Sequence, residues 1–263
     1  MALNKYLRLA QSLKRRSWRE KTGLYLVEGE HVVAEALQAK AELEVVLYNR
    51  EFVGSPEHAE LIEQLARAGY RCIEVPTSEL NRVSATVTPP GILAIARQRK
   101  ISIESLLASQ EVFLLVADGV QDPGNLGTML RTAVAAGCTG ALLTTGTVDP
   151  YNEKVVRASM GALFYLPVVS GLGPGEVISR LEGRSKIIVG HVAGEIFYHE
   201  CDYGGSVAIV VGNENRGPSP EILARAHARV KIPLWGPVES LNVAVAAGLL
   251  LYEAARCRHS SCT

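Results

Sequence analysis

The pattern of apolar and polar positions divides the chain into two α/β stretches. In the first, LYLVEG, LEVVLYN, YRCIEV and GILAIAR read as strands, while HVVAEALQAKA and PEHAELIEQLARAG repeat apolar residues at helical spacing. Asn4 to Arg19 predicts one helix ahead of them. In the second stretch VFLLVADGV, GALLTT, KIIVGHV, SVAIVVGN and RVKIPLW are nearly continuous apolar runs, each followed by a loop and usually a helix. Unbroken apolar strands of this kind predict a parallel sheet covered on both faces. Ligands of such sheets sit beyond the carboxyl ends of the strands. The loops that matter are therefore DGVQDPGNLG, TTGTVDPYN, GHVAGE, GNENRG and LWGPVES. The charged stretch ARQRKISIES separates the halves and predicts two domains, 1–105 and 106–263.

Two helix starts carry polar residues in unusual places. The segment Leu241 to Tyr252 is apolar on every face except at Asn242, which predicts a helix buried all round. Its first N–H groups then need partners inside the protein. Ser240 is read as its N-cap, and a ligand would satisfy the remaining donors. Asn125 is read as the cap of NLGTMLRTAVAAG, which places Arg131 in the second turn. A cation there opposes the helix dipole, so an anion is expected beside it, either a phosphate or an internal carboxylate.

Composition removes several function classes. At 263 residues and 48% hydrophobic content, a substantial core is available to one large domain or two small ones. Net charge is zero, but residues 1–25 hold seven basic side chains against Glu20 alone. Lys14, Arg15, Arg16 and Arg19 lie there, on a helix that either faces nucleic acid or is simply solvated. The five scattered cysteines and the lack of a signal-like start predict a cytoplasmic protein. No run approaches the roughly 18 apolar residues of a membrane span. Cys257, His259 and Cys262 lie close in sequence, yet a polar tail is expected there and no metal site. No G-x-G-x-x-G, P-loop or G-x-S-x-G pattern occurs, which disfavours common dinucleotide enzymes, P-loop enzymes and a Ser240 nucleophile.

Taken together, the loops resemble the SpoU-type (TrmH-like) RNA ribose 2'-O-methyltransferases of the SPOUT superfamily. Three motifs carry the likeness, in the family's order. NLGTMLRTAVAAG places Asn125 and Arg131, VVGNENRG places Gly212 and Glu214, and IPLWGPVESLNVAVA places Ile232, Ser240, Leu241 and Asn242. DPYNEKVVRASMGALFYLPV also resembles the stretch between the first two motifs, and LYLVEGEHVVAEAL and GILAIA resemble a ribosomal-protein-like substrate domain.

The resemblance implies an α/β fold whose C-terminal parallel-sheet domain ends in a deep trefoil knot, preceded by a smaller RNA-binding domain. It implies S-adenosylmethionine held by loops that include Gly190, Gly212, Ile232 and Leu241. It also implies a homodimer, no metal, and an RNA substrate, with ribosomal RNA favoured over transfer RNA. Asn125, Arg131, Glu214, Ser240 and Asn242 are the implied catalytic set, in which the other four fix Arg131, the loop backbone and the ribose. Arginine stays protonated in proteins, so a role for Arg131 in binding phosphate and orienting the hydroxyl is physically easier than a role as base. Arg157 is a further RNA-contact candidate, or else an exposed helix arginine. Two positions depart from the family pattern. Asn215 stands where glycine is common, and is read as a residue that tolerates left-handed backbone. Ala244 stands where serine is frequent. An inactive RNA-binding module and a methyltransferase for another substrate are the rival readings.

Overall fold

The computed structural model describes residues 2–260. They form two compact units, one of residues 2–99 with Asp149–Tyr165, the other of residues 100–148 and 166–260. The expected division at 105/106 is therefore corrected, because the chain leaves the second unit after Val148 and returns to it at Leu166.

In the first unit, helices α1 (Ala2–Leu13) and α2 (Arg16–Thr22) precede β1 (Leu24–Glu28), α3 (Glu30–Gln38), β2 (Leu43–Tyr48), α4 (Pro56–Arg67), β3 (Cys72–Glu74), α5 (Thr77–Val83) and β4 (Ile92–Arg97). The sheet order is β1-β4-β2-β3, with only the β2–β3 pair parallel. Leu7, Ala10 and Leu13 of α1 pack with Leu26, Val45, Leu47 and Ile95 of the sheet in its core.

The single helix expected over residues 4–19 is two helices, because Arg15 is extended (φ −93°, ψ 132°). Arg19 explains the break. Its Nη1 donates to the carbonyls of Leu13 and Lys14 at 2.8 and 3.0 Å, capping the end of α1. Its Nε and Nη2 hold Asp149 Oδ2 at 2.8 and 2.6 Å. That ion pair, with the Tyr25–Tyr151 ring contact at 4.7 Å, fastens residues 149–165 to this unit. The segment adds α8 (Glu153–Ser159) and α9 (Ala162–Tyr165).

The second unit contains α6 (Ile103–Leu106), β5 (Phe113–Asp118), α7 (Pro123–Ala135), β6 (Gly140–Thr144), β7 (Val168–Leu172), α10 (Pro174–Leu181) and β8 (Lys186–Gly190). It continues through β9 (Ile196–Phe197), β10 (Val207–Gly212), α11 (Pro220–Ala224), β11 (Ala228–Lys231) and α12 (Val243–Ser260). All seven strands are parallel, in the order β7-β6-β5-β10-β8-β11-β9. Every residue of β5, β6 and β10 is buried, as their unbroken apolar runs require. The two edge strands β7 and β9 escaped the sequence reading, since VVSGL carries polar and glycine positions and β9 has two residues.

The chain runs outward from β5 through β6 to β7, then crosses to build the other side from β8. The switch falls between β5 and β10, whose last residues Asp118 and Gly212 are paired. Loops that leave the carboxyl ends there diverge and open a crevice.

Candidate functional site

A hydrogen-bonded clamp closes the crevice between β5 and β10. Glu214, just beyond β10, accepts the backbone N–H of Gln121 at 3.1 Å on Oε2 and that of Asp122 at 3.0 Å on Oε1. Oε1 also accepts Asn125 Nδ2 at 3.1 Å. Asn125 Oδ1 in turn accepts Asn242 Nδ2 at 2.9 Å. Three distant segments thus meet through three side chains. Burial acts to raise the Glu214 pKa, but the bonds from Asn125 and from the backbone N–H groups outweigh it and hold the carboxyl below its ordinary value. Glu214 is therefore an anion at neutral pH, with its oxygens committed to the loop.

Both helix caps differ from the sequence expectation. Helix α7 starts at Pro123 and is capped by Asp122, whose Oδ1 accepts Asn125 N at 2.8 Å. Asn125 is thereby the third helical residue, with its side chain free to bridge. Helix α12 starts at Val243, and its cap is Asn242 rather than Ser240, with Oδ1 accepting the N–H of Ala244 and Val245 at 2.9 and 3.3 Å. The Asn242 amide uses its oxygen for the cap and its nitrogen for Asn125. Helix α12 is also not buried all round, because Val245, Leu249 and Tyr252 are 53%, 38% and 54% exposed. Its small residues serve the unit itself, with Ala247 fully buried and Gly248 facing Thr132 of α7.

A cavity of about 640 Å³ lies beside the clamp. Gly190, Gly212, Ile232, Ser240, Leu241 and Asn242 all line it, so the four expected cofactor residues come together. Its volume suits a small-molecule site. Glycine is needed at two of these positions for contact reasons. A Cβ on Gly190 would lie 2.7 Å from Leu250 of α12, and one on Gly212 would lie 2.0 Å from the Pro218 nitrogen. At both positions the close neighbour leaves no room for a side chain. Asn215 does not use a left-handed conformation; the turn's left-handed residue is Gly217, at φ +71°.

Comparison with known proteins bears directly on this arrangement. Residues 112–252, more than half of the chain, match the SpoU rRNA Methylase family. The chain belongs to that family. Residues 4–94 match the MRM3-like substrate binding domain. The 23S rRNA (guanosine(2553)-2'-O)-methyltransferase RlmP of Bacillus subtilis is 35% identical over 252 residues, 96% of both chains. The SpoU methyltransferase AviRb from Streptomyces viridochromogenes, in complex with AdoMet, superposes with a TM-score of 0.87 at 27% identity, over 97% of this chain and 98% of that one. The AdoMet-bound rRNA methyltransferase from Sinorhizobium meliloti gives 0.84 at 28% identity, over 97% and 96%.

In this SpoU domain Arg131 stands apart from the clamp. It lies in the third turn of α7, exposed, and among the described residues its guanidinium makes no hydrogen bond or ion pair. Of the expectation that Asn125, Glu214, Ser240 and Asn242 fix Arg131, the loop backbone and the ribose, the loop-backbone part is visible, since Glu214 holds the Gln121 and Asp122 N–H groups, while none of the four bonds Arg131. Ser240 borders the cavity, exposed, and among the described residues its side chain makes no hydrogen bond.

The expected RNA-contacting residues separate into two groups. Arg15 and Arg16 are exposed. Arg19 is only 3% exposed, and its guanidinium is consumed by Asp149 and the α1 carbonyls, so it is a structural residue. Lys14 donates to the Ser84 carbonyl at 2.7 Å. Arg157 is half-buried, 3.7 Å from the buried Glu28 carboxylate, and is not the free helix arginine the sequence allowed.

Sequence reasoning missed the residues that brace these loops. Asp118, buried at the end of β5, accepts Thr144 Oγ1 at 2.7 Å and Ser219 N at 2.6 Å. Asn213 donates to the Gly119 carbonyl at 2.8 Å and accepts the N–H of Asn215 and Arg216. An acidic residue ending an otherwise apolar strand was the available signal for Asp118. Among the described residues no cluster could hold a metal, and Cys262 lies outside them. No described helix is long and apolar enough to cross a membrane.

Proposed function

We propose that this SpoU protein transfers a methyl group from S-adenosylmethionine to a ribose 2'-hydroxyl of ribosomal RNA. The clamp joining Asn242, Asn125 and Glu214 beside a glycine-walled cavity carries the reading, together with family membership. The cavity suits the cofactor, since it pairs apolar surface from Ile232, Leu241 and Leu250 with polar loop backbone and the Ser240 hydroxyl. When bound, S-adenosylmethionine supplies an electrophilic methyl whose sulfonium departs as a neutral thioether, so no metal activation is required. The chain's task is then positioning. Arg131, without an ion-pair partner among the described residues, binds an RNA phosphate and orients the attacking hydroxyl. Glu214 does not take the proton, because its oxygens already accept three hydrogen bonds.

Four further parts belong to the proposal. The first unit binds RNA, supported by the match of residues 4–94 to a substrate-binding domain and by exposed Arg15 and Arg16. The chain forms a homodimer through α12, supported by the exposed stripe of Val245, Leu249 and Tyr252, spaced to share one helix face. The segments around the cavity are knotted, supported by membership of the SpoU family and by the likeness to the AdoMet-bound SpoU structures. The compartment is the cytoplasm, in line with Cys72, Cys138 and Cys201, which form no disulfide among the described residues.

The test is calorimetric titration with S-adenosylmethionine in the presence of a chelator, followed by incubation with labelled donor and an unmodified 23S rRNA transcript. Saturable metal-independent binding and label that survives in alkali-resistant dinucleotides are expected. Label on a base, or none on RNA, contradicts the reading.

A further inference from the structure

The chain has two tryptophans, Trp18 and Trp235, and neither lies in the core. Trp235 is 93% exposed. That placement forgoes the large burial gain an indole normally supplies. The residue sits in the loop between β11 and α12. On one side Leu234, and on the other Glu239 to Val243, line the cavity, while Trp235 itself points no surface into it. Pro233 and Pro237 flank the three residues Leu234, Trp235 and Gly236. Their fixed φ angles reduce the backbone freedom of the loop tip. A loop restricted this way loses less backbone entropy on binding a ligand.

The charges nearby fit a polyanion. Arg216 lines the same cavity, and Arg131 belongs to the helix joined to α12 through the Asn125–Asn242 bond. Among the described residues neither guanidinium has an ion-pair partner. An exposed ring on one of the loops around a cavity, with an uncommitted arginine on another, is a combination that holds unpaired nucleotides, the ring stacking on a base while the cation takes a phosphate.

We propose that Trp235 stacks on an unpaired base of the RNA substrate at the mouth of the cavity and so positions the nucleotide for methylation. This rests on the RNA methylation reading above and adds to it a positioning residue. Stacking accepts any base, so Trp235 holds the RNA in place and does not choose the sequence.

The test uses the full chain carrying Trp18→Phe, in which Trp235 is the sole indole. Adding unmodified 23S rRNA transcript should quench its emission saturably. Trp235→Ala should raise the KM for the transcript about tenfold, with a smaller loss of kcat. Trp235→Phe should recover most of that loss, because a phenyl ring still stacks. Unchanged emission and unchanged KM on a transcript that the unsubstituted protein methylates would overturn the proposal. So would a blue-shifted emission indifferent to RNA, combined with a weakened dimer in Trp235→Ala, since the indole would then be packed against a second copy. Quenching is read without turnover, so an unsubstituted protein that binds RNA but transfers no methyl counts against the methylation reading and not against stacking.

Discussion

Asn242 Nδ2 donates to Asn125 Oδ1 at 2.9 Å, joining the first turns of two helices that lie over a hundred residues apart in sequence. Each asparagine uses both ends of its amide. Asn242 caps α12 with its oxygen, and Asn125 passes its own nitrogen to Glu214. Asn242→Asp keeps the cap oxygen but puts two acceptors face to face. It should therefore retain most of its thermal stability while losing turnover. Asn242→Ala should lose the cap as well, at a cost of about 1 kcal/mol. The Asn125→Ala and Asn242→Ala losses in turnover should be less than additive when combined, because both remove the same bond. Single-turnover methylation with parallel melting curves checks this.

Glu214 gives the clamp a pH limit. Its folded pKa lies below the ordinary carboxylate value, so the stabilisation is complete above that ordinary value, about 4.3. It is lost as the pH falls through the lowered folded value. Glu214→Gln lacks this titration. The melting-temperature gap between the unsubstituted protein and Glu214→Gln should therefore be constant near neutrality and shrink in acid. The gap should be modest, since the carboxylate is solvent-screened. A gap that widens as the pH falls would reverse the assigned sign.

The basic N-terminus should divide into two phenotypes. Arg19→Ala leaves Asp149 without its cation and the end of α1 uncapped, and should cost about 3 kcal/mol. Arg15→Ala with Arg16→Ala should leave stability within about 0.5 kcal/mol. That pair should instead weaken RNA binding and flatten its salt dependence. For the same reason a fragment of residues 106–263 should be poorly folded. It carries residues 149–165 without Arg19, Tyr25 and Glu28, their partners in the first unit. Denaturant titrations and filter binding across a salt series separate the two outcomes.

Much of this was legible in the sequence because parallel strands buried on both faces must be apolar throughout. Five of the seven strands of the second unit, β5, β6, β8, β10 and β11, were read from their apolar runs. So was the site's place beyond their carboxyl ends, and the motifs named the asparagines and Glu214. What escaped depended on contacts between distant residues. Arg19 reads as one more surface cation until Asp149, far along the chain, is seen to pair with it. Val245, Leu249 and Tyr252 read as core because apolar periodicity does not distinguish a core from an exposed face awaiting a partner. The caps were misplaced by two or three residues, since Asp122 and Asn125 are both good capping types and so are Ser240 and Asn242.

The exposed face of α12 carries its own expectation. Leu249→Glu with Tyr252→Glu should convert a dimer to a monomer in light scattering, with the unit still folded. Monomeric behaviour of the unsubstituted chain at micromolar concentration would refute the dimer.

The most direct measurement is 2'-O-methyl transfer to 23S rRNA by Arg131→Ala beside the unsubstituted chain. Arg131 has no partner within the described protein, so its loss should leave the melting temperature and S-adenosylmethionine affinity essentially unchanged. Alkali-resistant label should nevertheless fall about a hundredfold or more. Arg131→Lys should not restore it, because an ammonium does not reproduce the planar fork. Near-normal transfer by Arg131→Ala, or transfer by neither protein, would contradict the account.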